Sequence, residues 1–411
     1  MADYEVLVIG GGTGNNVAAA AADAGLETAL VEPGPLGGTC LNRGCNPSKM
    51  LIQAATAANH VREADRFFVD AHIDDIDYAA IIDDMEDTLA PLAEGMEDSY
   101  REKEHLTILK HEATFVDERT VEVDGETVTA EKVVVAAGSR PLVPPIDGLD
   151  TVDYMTSQDA LYRREQPDSL VILGVGYIAV ELGYFFESLG TDVTIVEMMD
   201  SLVPREDPDV AETFTEIAER RHDIYTGYRA TAVEADGADV IVHAENEAGD
   251  EVAVGGSDLL VALGRRPNTD TLDAEAAGIE TDDNGFVVTD DQLETSAENV
   301  WAQGDIADNA MFKHSGDYET KVTVENVVHG GDATADLSAM PHAIFTEPQM
   351  AGVGKTEADL QAEGREYVVG KTDLPGTPMG RAKKLDDGFA KVLAAPDGEI
   401  LGCHVLGYEA S

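Results

Sequence analysis

One layout occurs twice in this chain, and it constrains the fold more than anything else. An apolar strand, Val6–Ile9, runs into the turn Gly10-Gly11-Gly12-Thr13-Gly14-Asn15. An Ala-rich helix (Val17 to Ala24), Gly25 and a second strand, Thr28–Val31, follow, ending at Glu32. The second copy runs from Leu170–Leu173 into Gly174-Val175-Gly176-Tyr177, a helix through Leu189, Gly190 and the strand Asp192–Val196, ending at Glu197. The acid falls 20 residues after Gly12 and 21 after Gly176. This is the pattern of a dinucleotide-binding unit. The first glycine makes the turn, and the second admits a pyrophosphate. The helix N-terminus offers free N–H groups, and the closing carboxylate can take a ribose hydroxyl pair. The first copy departs from it at Asn15, which stands where a third glycine allows close helix–strand packing. Its helix is therefore expected slightly further from its strand.

Charge excludes several partners. Asp and Glu total 81 against 27 Lys and Arg, for a formal net charge of −54. Phosphate neutralisation needs clustered bases, so nucleic acid is not expected as a partner. Only 11 of the bases are Lys. An acidic, Lys-poor but well-patterned chain fits a halophile, where molar salt screens self-repulsion. No apolar run approaches the roughly 18 residues of a membrane span. The N-terminus lacks the basic region of a secretory signal. A soluble, cytoplasmic protein is expected, without membrane contact.

With 411 residues the chain has room for several domains. Two strand ends halt alike, at Gly138-Ser139-Arg140-Pro141 and Gly264-Arg265-Arg266-Pro267, and they bracket the second unit. The expected fold is α/β. Two Rossmann-like domains, residues 1–145 with 268–337 and residues 146–267, precede an incomplete α+β domain at 338–411.

Two of three cysteines lie in Gly37-Gly38-Thr39-Cys40-Leu41-Asn42-Arg43-Gly44-Cys45-Asn46-Pro47-Ser48-Lys49. The alternatives are a redox pair, a metal site and two inert thiols. Two thiols with no neighbouring His make a poor zinc set, so no metal is expected. Positions five apart in a regular helix lie roughly 8–9 Å apart, beyond the ~4.4–6.8 Å of a disulfide. Bonding needs an irregular segment, and Gly44 permits one. Pro47 suits a first helical turn, with Asn46 as its N-cap. Cys45 would then sit just outside a helix N-terminus, where a thiolate is favoured. Cys403 reads as a core residue.

This stretch, after one dinucleotide unit and before another, resembles the pyridine nucleotide–disulfide oxidoreductases. The resemblance implies FAD on the first unit, at Gly10, Gly12, Gly14, Glu32, Gly38, Thr39, Lys49, Gly138 and Asp305. It implies NAD(H) or NADP(H) on the second, at Gly174, Gly176, Tyr177, Glu197 and Gly264. Electrons would pass from nicotinamide through flavin to a Cys40–Cys45 disulfide, and from there to a small disulfide substrate. By the same resemblance Cys45 is the charge-transfer thiolate and Cys40 the interchange thiol. Lys49 and Glu181 form an ion pair near the flavin, and 338–411 is an interface domain that forms a homodimer.

The family's acid–base pair is His-x-x-x-x-Glu near the C-terminus. His342/Glu347 and His404/Glu409 have that spacing but align with earlier strands of the interface domain, so neither is expected to serve. That domain looks short, and the family's last segment is expected to be missing. A chain ending at Ser411 would then be a cofactor-binding flavoprotein without disulfide turnover. Asn15-Asn16 and Phe312-Lys313-His314 resemble mycothione-type reductases, and the halophilic character points to bis-γ-glutamylcystine as the disulfide. Glu197 favours NADH, since a carboxylate repels a 2′-phosphate, whereas small-thiol reductases take NADPH. Dihydrolipoamide dehydrogenase is the second alternative and mercuric reductase the third.

Overall fold

A computed structural model of the protein describes residues 2–307 and 309–411. The chain forms two compact units, each built from three stretches. The first comprises Met1–Pro47, Glu86–Arg140 and Arg265–Ser338; the second comprises Ser48–Met85, Pro141–Gly264 and Ala339–Ser411.

The first unit is built on a sheet in which Leu106–Leu109, Thr28–Val31, Tyr4–Ile9, the end of Glu126–Val135 and Val300–Ala302 lie side by side in parallel. Val6, Leu7 and Val8 have no exposed surface, as expected of strands covered on both faces. Ala113–Asp117 and Thr120–Val123 extend the sheet as an antiparallel hairpin on the outer half of Glu126–Val135. The chain leaves Tyr4–Ile9 toward one side and returns on the other. The strand order therefore reverses there, and a crevice opens beyond the carboxyl ends, at Ile9 and Val135.

The second unit repeats this logic. Asp223–Thr226, Asp192–Glu197, Ser169–Leu173 and Asp258–Val261 form a parallel sheet, with the reversal at Ser169–Leu173. A three-stranded antiparallel sheet (Tyr228–Asp236, Asp239–Asn246, Glu251–Gly256) accompanies it. Residues 339–411 contribute a five-stranded antiparallel sheet in the order His342–Ile344, Gln349–Gly354, Ile400–Gly407, Phe389–Ala394, Val368–Asp373.

A buried ion cluster ties that last sheet to the helix Pro208–Ala218. Lys391, with no exposed surface, places Nζ 2.7 Å from Asp207 Oδ1 and 3.3 Å from Asp209 Oδ2, and it also donates to Glu357. Asp207 caps the helix as well, accepting from Asp209 N at 3.1 Å, and takes Glu357 N at 3.0 Å. Burial alone would lower the ammonium's pKa. The hydrogen bonds to Asp207 and Glu357 outweigh it and hold the group above the usual Lys range. Lys391→Met leaves these carboxylates facing one another and should cost about 3–5 kcal/mol. Thermal unfolding in concentrated KCl checks this; an unchanged midpoint would contradict it.

Candidate functional site

In the first unit the two leading glycines of the turn have different tasks. Gly10 has φ +109°, and a Cβ there would lie 2.2 Å from Ala136 O, so only glycine fits. A Cβ on Gly12 would meet nothing nearer than Gly38 Cα at 3.7 Å, which leaves this side of the turn open to a ligand. The helix begins at Gly14, earlier than the sequence pattern predicts, and lies directly on the strand. A Cβ on Gly14 would meet Ala136 Cβ at 2.8 Å and Val8 Cγ1 at 2.9 Å. The expected outward shift from Asn15 is therefore absent, because Gly14 takes over the close approach. Asn15 is itself buried, its Nδ2 donating to Met96 Sδ at 3.2 Å. Glu32 ends the next strand and is held by two main-chain donors, Gly11 N at 2.6 Å and Gly34 N at 2.8 Å.

The cysteine segment starts on this turn. Gly38 has φ +59°, and a Cβ there would lie 2.5 Å from Gly12 Cα, so two main chains meet without side chains between them. The short helix Gly38–Arg43 carries Thr39 and Cys40. Gly44 breaks it, and Cys45–Arg62 begins immediately. The irregularity predicted at Gly44 is present. The N-cap prediction is corrected: Cys45 is the first helical residue and Asn46 lies inside the turn, because Gly44 makes the break. Pro47 falls in the first turn as expected.

Cys40 is half-buried and Cys45 exposed, and the two sulfurs are not joined in a disulfide. They lie within hydrogen-bonding reach of each other, and Cys40 Sγ also donates to Asn46 Oδ1 at 3.7 Å. The hydrogen bond to Cys45, then burial, push the Cys40 thiol well above the usual range; Lys313 opposes this. Cys45 occupies the helix start, where the dipole favours a thiolate.

A third group converges from both Gly-x-Arg-Pro junctions. Asp305, on the single turn Gly304–Ala307, accepts from Ser139 Oγ at 2.6 Å. Arg265 donates Nε to Ser139 Oγ at 2.7 Å and Nη2 to Ser139 O at 2.8 Å, with Nε 3.6 Å from Asp305 Oδ2. Fully buried Glu319 accepts from Gly304 N at 2.5 Å. Burial, with Asp305 nearby, raises its carboxyl pKa. Gly138, with φ +69°, has open space where a Cβ would be. Sequence reasoning quoted Ser139 and Arg265 only as a chain stop, and it missed Glu319, for which no local pattern signals.

In the second unit, Gly174 repeats Gly10, with φ +117° and a Cβ position 2.3 Å from Ala262 O. Gly176 repeats Gly12, with nothing within 4 Å of its Cβ position. Tyr177 opens the helix Tyr177–Leu189, half-buried. Glu197 is buried, its Oε1 accepting from Met199 N at 3.1 Å. Gly264 has φ +124° and is nearly free of neighbours. Lys49 Nζ lies 2.6 Å from Glu181 Oε2, so the sequence-derived pair meets. Sequence reasoning missed Phe345, whose main-chain N donates to Glu181 Oε1 at 2.9 Å and whose ring centroid lies 4.4 Å from Lys49 Nζ.

His342 binds Glu206, with Nε2 2.8 Å from Oε1, while Glu347 accepts from Tyr184 OH at 3.2 Å. Buried His404 uses Nε2 on Lys355 O at 2.9 Å. Among the described residues, the acidic group that could together hold a metal ion is Asp207, Asp209 and Glu357, and it already holds Lys391. No described helix is long and apolar enough to cross a membrane.

Two open-sided glycine turns, each with a carboxylate closing the following strand, and one thiol pair seated on the first turn define a dinucleotide-dependent redox protein. Residues 4–332 match the family Pyridine nucleotide-disulphide oxidoreductase, and residues 340–411 match its dimerisation domain. The chain belongs to this family, whose members are FAD-dependent NAD(P)H disulfide oxidoreductases. It is 38% identical to dihydrolipoyl dehydrogenase 2 of Haloarcula marismortui, over 99% of this chain and 88% of that protein. It is 35% identical to mycothione reductase of Mycobacterium tuberculosis, over 100% and 91%. It also superposes on the HOCl-induced flavoprotein disulfide reductase RclA of Escherichia coli with a TM-score of 0.87 at 27% identity, covering 99% of this chain and 90% of that one.

Proposed function

We propose that this protein reduces a small disulfide with NAD(P)H through FAD and the Cys40–Cys45 pair, bis-γ-glutamylcystine being the substrate. The observation that carries the reading is the thiol pair itself, two sulfurs within hydrogen-bonding reach on a segment whose Gly38 rests on Gly12. FAD, when bound, supplies a two-electron relay between nicotinamide and sulfur. The open side of Gly12, the doubly held Glu32 and the Asp305–Ser139–Arg265 cluster fit its pyrophosphate, ribose and ribityl chain. Gly176, Tyr177, Glu197 and Gly264 would hold the nicotinamide dinucleotide. FAD would occupy residues 1–145 and 268–337, the nicotinamide dinucleotide 146–267, and a second copy would dimerise on 338–411.

Two electrons and two protons convert the Cys40–Cys45 disulfide to the dithiol. Cys40, once deprotonated, attacks one sulfur of the substrate disulfide, forming a mixed disulfide and releasing one thiolate, which takes up a proton. Cys45, giving up its proton to the departing substrate sulfur, then attacks the Cys40 sulfur. The second substrate thiol leaves, and the intramolecular disulfide re-forms. Cys45, at the start of the helix Cys45–Arg62, fits the part of the retained thiolate.

A second reading, dihydrolipoyl dehydrogenase, draws on buried Glu197, whose carboxylate disfavours a 2′-phosphate and so selects NAD(H). The test is turnover of bis-γ-glutamylcystine, lipoamide and Hg(II) with NADH and with NADPH in molar KCl. The proposal expects bis-γ-glutamylcystine to turn over fastest. Faster lipoamide turnover supports the second reading, faster Hg(II) turnover a mercuric reductase, and no turnover with flavin bound a non-catalytic flavoprotein.

A further inference from the structure

Phe345 touches both members of the Lys49–Glu181 pair, each with a different group. Its main-chain N–H donates to Glu181 Oε1 at 2.9 Å, leaving Oε2 for Lys49 at 2.6 Å. Its ring lies 4.4 Å from the same ammonium. The Glu181 side chain is only 7% exposed, so its carboxylate is largely shielded from water, while Lys49 is 34% exposed. Each carboxylate oxygen thus has a donor, which fixes the plane of the group. The ammonium sits between a carboxylate and an aromatic face, and both attract it. Phe345 immediately follows the strand His342–Ile344, which is paired to Gln349–Gly354, so the sheet sets its main-chain position.

We propose that Phe345 is a positioning residue for flavin reduction, holding Lys49–Glu181 in a single geometry from the dimerisation segment. The inference rests on the reading that this pair faces the flavin. A fixed positive charge there favours the negative charge that develops on reduction, and it works best when it need not reorganise. Loss of the ring leaves Lys49 with one attractive partner fewer and more ways to point.

Phe345→Leu isolates the ring, because the main-chain N–H is kept. Flavin reduction by NAD(P)H, followed by stopped-flow absorbance, should slow about tenfold, and the flavin midpoint potential should fall. The KM for the disulfide should stay at the wild-type value. Phe345→Tyr and Phe345→Trp keep an aromatic face and should retain the wild-type potential. Adding Phe345→Leu to Lys49→Met should change neither rate nor potential further. A Phe345→Leu protein with wild-type rate and potential overturns the inference, as does an equal loss in the Lys49→Met background. If Phe345→Leu does not fold, a lowered potential in Phe345→Tyr overturns it and a retained one supports it. If Lys49→Met itself leaves rate and potential unchanged, the reading of the ion pair fails first, and the inference falls with it.

Discussion

Cys45→Ser should remove disulfide turnover by more than about a thousandfold, because the replacement hydroxyl can neither close the disulfide nor resolve the mixed one. FAD content should stay at the wild-type level, since Cys45 is exposed and the turn contacts run through Gly12 and Gly38. Partial reduction of wild type should produce a long-wavelength absorbance from the thiolate beside the flavin, and Cys45→Ser should lack it. Cys40→Ser separates the two sulfurs. It should keep that absorbance, because its remaining thiol sits at the start of Cys45–Arg62. Turnover should still be lost, because the attacking sulfur is gone. A Cys45→Ser protein that retains the band would reverse the assignment of the two thiols.

Low salt should unfold this protein or split its assembly. With 81 acids against 27 bases, most surface carboxylates have no base to pair with. The screening length is about 3 Å at 1 M salt and about 10 Å at 0.1 M, so dilution exposes each carboxylate to many others. The Lys391–Asp207 pair is less affected, because both charges are buried and bonded to each other. The apparent unfolding temperature should therefore fall by on the order of 10 °C or more between molar and tenth-molar KCl. Sodium sulfate at matched ionic strength should restore it. An unfolding temperature unchanged across that range would refute the halophilic reading.

Legibility in the sequence followed the range of the interactions. Both glycine turns, their helices and their closing carboxylates could be read because a tight turn, a 3.6-residue period and an alternating or continuous apolar strand are local. Lys49 and Glu181, 132 positions apart, were matched only through a family resemblance, and they do meet at 2.6 Å. The shift of the helix start to Gly14 was not legible, because it depends on how closely Val8 and Ala136 approach. The same holds at Cys45, where Gly44 ends one helix and leaves no room for Asn46 to cap the next. Arg265, Ser139 and Asp305 come together from three distant stretches, and no spacing rule announces that. Phe345 was invisible for a related reason: half of its contact uses a main-chain N–H, which any residue but proline possesses.

Electron counting probes the central claim most directly. Anaerobic dithionite titration of the FAD-loaded protein in molar KCl should consume four electrons per flavin, two for the flavin and two for the Cys40–Cys45 disulfide. The long-wavelength band should rise and peak after the first two. Uptake of only two electrons, with the flavin bleaching directly and no intermediate band, would mean that these sulfurs do not exchange electrons with the flavin.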